Sequence, residues 1–147
     1  MSVGMKKFFG AFVVCAFFCA AECFSAEPAG ESALPKIAFD FVGSTFAGAR
    51  IADVRKDSGW FSTDYLVTLS DSTSVEFDGA GYWREISNKS GLSLKLLPAR
   101  IAELLEVRFI GAKVVRIKKT PRIFSVYFAD GRRLDFDSNL NLLEVAD

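Results

Sequence analysis

Two apolar periods take turns along this chain. Over 97–109, Leu97, Ile101, Leu104, Leu105 and Phe109 recur at three- and four-residue steps, which predicts one face of an α-helix. Pro98 suits the first turn of that helix and Gly111 its stop. Leu34, Ala38, Phe41, Val42 and Phe46 stand at equivalent places upstream. There Ile37, Phe39 and Phe41 also alternate as in a strand, and Gly43 and Thr45 lower helix propensity. The parallel with 97–109 favours helix.

After each of these segments the period falls to two. In KVVRIKK, Val115 and Ile117 are expected on one side, with Arg116 and Lys118 on the other. In IFSVYFA, Phe124, Val126 and Phe128 point inward and Ser125 and Tyr127 outward. Asp130-Gly131 reads as a two-residue hairpin turn, after which Leu134 and Phe136 face the core. LLEV supplies a further short strand. Upstream the same alternation runs through Ala52 and Val54, then Tyr65, Val67 and Leu69, then Val75 and Phe77.

The two stretches also match position by position. Leu34-Pro35 answers Leu97-Pro98, Phe46 answers Phe109, and Phe77-Asp78 answers Phe136-Asp137. The expected fold class is therefore α+β, a tandem repeat over about 33–86 and 97–146. Each copy is a helix followed by antiparallel strands. Together they form one extended antiparallel sheet with both helices on one face and solvent on the other.

Residues 1–26 read as a secretory signal peptide, leaving 27–147 as the domain. Lys6 and Lys7 precede the apolar run FFGAFVVCAFFCAA, which is short for a membrane span, and cleavage is expected after Ser25 or Ala26. The expected location is periplasmic or secreted, with no stable membrane insertion after cleavage. Cys15, Cys19 and Cys23 all fall inside this leader, so the exported domain has no thiol with which to form a disulfide.

Charge removes further classes. Lysine plus arginine equals aspartate plus glutamate at 18 each, so no net field favours nucleic acid. Histidine is absent, which takes away the commonest general base and metal ligand. No catalytic set, metal site or cofactor site is expected. The acids Glu76, Asp78, Asp135 and Asp137 lie on strands or at their ends, and Asp78 and Asp137 suit turn-capping hydrogen bonds. The spacing in DSTSVEFDG does not match a helix-flanked calcium loop.

The block from Trp83 through Leu97-Pro98 and GAKVVRI to LDFDSNLNLLEV resembles the PepSY-like family of exported bacterial proteins, which is β-lactamase-inhibitor-like. That resemblance implies an envelope protein of tandem helix-plus-sheet repeats, with no catalytic residues. Related modules occur in propeptides of secreted metallopeptidases, where inhibition or chaperoning is the suggested role.

Two surfaces are candidates for partner recognition. Arg116, Lys118, Tyr127 and Arg133 should project from the open sheet face, where cross-strand charge pairing is the competing reading. Trp60 and Phe61 lie in DSGWFSTD, where the upstream copy carries its extra length, and either meet a partner or cap the sheet edge. The expected function is a non-enzymatic exported binding module, an inhibitor or chaperone-like domain for an envelope protein or peptide. The alternatives are a small-molecule or peptide binder using the open face, and a structural envelope component.

Overall fold

The computed structural model describes residues 27–147, so the expected signal peptide and its cysteines lie outside the described residues. The elements run β1 (Glu27–Ala29), α1 (Lys36–Thr45), β2 (Ile51–Ser58), β3 (Thr63–Leu69), β4 (Ser74–Phe77) and β5 (Trp83–Ser87). Then come α2 (Ala99–Arg108), β6 (Val114–Lys119), β7 (Phe124–Phe128), β8 (Arg133–Phe136) and β9 (Leu142–Ala146).

The strands form one nine-stranded sheet in strict chain order, every neighbour antiparallel. This corrects the expected tandem α+β repeat. The molecule is one sheet-dominated layer with two ten-residue α-helices among the described residues. Pairing runs unbroken through the middle, where Glu85, Ile86 and Ser87 face Lys118, Ile117 and Arg116. β1, which belonged to neither copy, adds a strand before the first helix. The physical reason is that every connection, the tight turns and the two long ones that carry α1 and α2 alike, returns the chain antiparallel beside the strand just made. Hydrogen bonding therefore passes from neighbour to neighbour without a boundary.

Val67, Val75, Phe77, Ile86, Ile117, Val126, Leu134 and Phe136 fill the core from the strands. Ala38 and Val42 of α1 and Ile101 and Leu105 of α2 enter the same cluster. Each fully buried large side chain contributes about 1.5–3 kcal/mol, which holds these short helices to the sheet.

Four turns share one backbone design. The N–H groups of Leu69, Asp78, Phe128 and Asp137 donate to the carbonyls of Thr73, Tyr82, Arg132 and Asn141. In each, the residue before the acceptor has positive φ: Ser72 at 67°, Gly81 at 94°, Gly131 at 95° and Leu140 at 61°. Asp130-Gly131 is therefore part of a three-residue loop closed by a left-handed residue, not a two-residue turn.

Two facing assignments also change. Val114, not Val115, is buried, and Ala52 is exposed beside half-buried Ile51. A register shift falls at each place, between Val114 and Arg116 and between Ile51 and Asp53. The extra residue of such a bulge breaks the period-two rule locally.

Candidate functional site

The register fixes the open face of the sheet. One row across it holds Arg55, Leu66, Glu76, Glu85, Lys118, Ser125, Asp135 and Glu144. The adjoining row holds Asp53, Thr68, Ser74, Ser87, Arg116, Tyr127, Arg133 and Ala146. Four of the expected site residues, Arg116, Lys118, Tyr127 and Arg133, thus share one surface.

They are largely occupied with one another and with two acids, the buried Glu85 and the half-buried Asp135. Arg116 Nη2 donates to Glu85 Oε2 at 2.9 Å, and its guanidinium lies 5.1 Å from the Tyr127 ring centroid. Lys118 Nζ is 3.8 Å from the same Glu85 carboxylate. Arg133 Nη2 is 3.1 Å from Asp135 Oδ2, while the Ser125 hydroxyl donates to Asp135 Oδ1 at 2.6 Å. The hydrogen bond to Glu85 is the largest of the effects that push the Arg116 guanidinium above its ordinary range. Glu85 had no place in the sequence reading, because alternation marks it only as outward-facing.

Trp60 and Phe61 sit elsewhere, in the β2–β3 turn closed by the Gly59 N–H donating to the Ser62 carbonyl. They are 99% and 102% exposed, so neither ring caps the sheet. Strand order places this turn at the same end of the sheet as the β4–β5 and β6–β7 turns. Those turns carry two more exposed apolar residues, Tyr82 and Ile123.

Between the turns lies a trough of about 650 Å³. Asp57, Asp64, Asp78, Arg84, Lys118 and Lys119 supply charge to it, and Phe77, Tyr82 and Trp83 supply aromatic surface. Lys119 Nζ lies 4.1 Å from the Trp83 ring centroid, and desolvation there pushes the Lys119 ammonium below its ordinary range. Trp83 is held in turn by Phe41, stacked with centroids 6.3 Å apart, and by Phe124, edge-on. Arg84 lies 3.9 Å from both Asp64 Oδ1 and Asp78 Oδ2. Asp64 Oδ1 is buried without a hydrogen bond.

Asp78 is a turn-former. Its Oδ1 accepts from the N–H groups of Ala80 and Tyr82, as Asp137 Oδ1 does from Asn139 and Asn141. Among the described residues, no group of three or more acidic, histidine or cysteine side chains is placed to hold a metal ion.

The sequence profile of the family described as "Putative beta-lactamase-inhibitor-like, PepSY-like" matches residues 63–144. The chain belongs to the PepSY-like family. No curated protein matches this PepSY-like chain. Solved structures do. One, described as a "putative calcium-regulated periplasmic protein" from Bacteroides thetaiotaomicron, is 24% identical with a TM-score of 0.78. It covers 83% of this chain and 97% of its own. Two from Bacteroides vulgatus, each described as a "putative periplasmic protein", are 22% and 24% identical with TM-scores of 0.76 and 0.77. They cover 85% and 83% of this chain, and 99% of their own in each case. At these identities the likeness is one of fold. Among the described residues, no helix of the PepSY-like chain is long and apolar enough to cross a membrane.

Proposed function

We propose that this PepSY-like protein is a periplasmic, non-enzymatic binding module that recognises an envelope protein or peptide through the Trp60–Phe61 turn. The single observation that carries the reading is the full exposure of two adjacent aromatic rings. Bare aromatic surface on a turn is what recognition sites offer, since each ring brings large contact area at small entropic cost. The charged trough at the same end of the sheet adds polar groups of both signs for orientation.

The open face supports recognition less well, because Arg116 and Arg133 already hold Glu85 and Asp135. The location is supported by the periplasmic description of proteins sharing this fold. A role without catalysis is supported by the absence of histidine and by the restriction of cysteine to positions 15, 19 and 23.

The test is affinity capture from an envelope fraction with the unaltered protein and with the Trp60→Ala/Phe61→Ala variant. A partner enriched by the first and lost by the second is the expected result. Equal capture by both would overturn the reading, and loss on Arg116→Ala/Arg133→Ala alone would move recognition to the open face.

A further inference from the structure

The two edges of the sheet differ. β1 is three residues long and carries Pro28, which cannot donate to an added strand. β9 is five residues long with neither proline nor lysine, and it leaves Leu143 and Val145 exposed at 59% and 50%. Among the described residues, its edge devices are a bulge at Leu143 and the charge of Glu144, which leave Val145 and Ala146 as regular, open edge.

We infer that β9 pairs with β9 of a second copy of this chain, antiparallel, in a register centred on Val145. This register sets Val145 against Val145 of the second copy, on the face that carries the helices. Charge selects it. Within one chain Glu144 stands directly opposite Asp135, like against like. Asp135 is already held by Arg133 and Ser125, whereas the Glu144 side chain makes no hydrogen bond or ion pair with any described residue.

In the proposed register Glu144 of the second copy falls opposite Ala146, whose own neighbour on β8 is Arg133. Arg133 and that Glu144 are then two strand spacings apart, about 9–10 Å between Cα atoms, with only a methyl group between them. Both side chains are long enough to meet across it. Arg133 also has a buried Nε without a hydrogen bond. The two-fold axis makes this pair twice. A register centred on Glu144 would instead oppose two glutamates.

Sedimentation equilibrium of the purified protein tests the inference. The expected mass is that of two chains, falling to one chain in Val145→Lys, whose melting temperature should match that of the unaltered protein at dilutions where it too is a single chain. Glu144→Arg separates this register from any other use of the edge. It removes the repulsion with Asp135, so each copy should melt higher, yet it sets two arginines together across the axis and should weaken self-association. Should Val145→Lys misfold, amide exchange over residues 144–146 in the unaltered protein should slow as concentration rises. A single-chain mass at all concentrations, a dimer that survives in folded Val145→Lys, or concentration-independent exchange at β9 would each overturn the proposal.

Discussion

Arg116 and Glu85 are not partners in the strand ladder, yet they make the closest charged contact on the open face. Arg116 is registered opposite Ser87, and Glu85 opposite Lys118, so the guanidinium reaches diagonally across β5 and β6. Glu85 is only 9% exposed, although it lies on the solvent side of the sheet. The side chains around it, not the helices, shut out the water.

That asymmetry predicts unequal mutants. Arg116→Ala leaves a largely buried carboxylate with Lys118 alone at 3.8 Å. The expected cost is about 1–2 kcal/mol, the lower part of the range for a charged hydrogen bond because Arg116 is itself partly solvated. Glu85→Gln keeps a hydrogen-bond acceptor and frees an arginine that can turn to water, so it should cost less. Urea unfolding of both variants checks the order, and a larger loss in Glu85→Gln would contradict it.

Gly81 and Gly131 offer a controlled comparison. Their φ values are 94° and 95°, so alanine is strained at either by about 1–3 kcal/mol. A Cβ at Gly131 meets nothing within 4 Å, whereas one at Gly81 comes within 2.9 Å of Pro35 Cβ and 3.1 Å of the Ala38 nitrogen. Gly81→Ala should therefore lose a further increment of about 1–3 kcal/mol as the β4–β5 turn is pushed off α1. Equal losses in the two variants would mean that α1 yields freely.

Asp137 ties stability to pH. Its carboxylate accepts the Asn141 backbone N–H at 2.9 Å and the Asn141 side-chain amide at 3.1 Å, and these bonds hold it below the usual aspartate range. A depressed folded-state value means that the stabilisation is complete above the unfolded-state pKa, near 3.9, and is lost as pH falls through the folded value. Asp137→Asn should melt lower than the unaltered protein at neutral pH, and the gap should close in that acid window. A gap that stays constant with pH would rule out the carboxylate charge as its cause.

The sequence disclosed those parts of the fold that follow from side-chain period alone. Tyr65, Val67 and Leu69, Phe124, Val126 and Phe128, and Leu134 and Phe136 all face the core as their alternation requires. It concealed the bulges at Ala52 and Val115, because one inserted residue leaves no compositional trace. The left-handed turn residues Ser72 and Leu140 were hidden for a related reason, since neither is glycine. Burial of Glu85 depends on side chains one strand away, a relation fixed by register and invisible in a linear pattern. The Trp60–Phe61 pair stood out as two aromatics among turn-formers, but whether they fold back depends on the hairpin's reach.

The two tryptophans give that last point a direct optical test. Trp60 is fully exposed, whereas Trp83 is packed between Phe41 and Phe124 beneath the Lys119 ammonium. Trp83→Phe should leave an emission with a solvent-like maximum that a soluble quencher reaches freely. Trp60→Phe should leave a more blue-shifted emission that the quencher reaches less readily, through the trough alone. Trp60→Ala/Phe61→Ala removes rings that contact no core residue, so its melting temperature should stay close to that of the unaltered protein. Were the rings buried, truncation would cost about 3–5 kcal/mol for each. A clear loss of stability in the double variant, or a shielded Trp60, would place the rings against the protein's own surface and remove them as a recognition element.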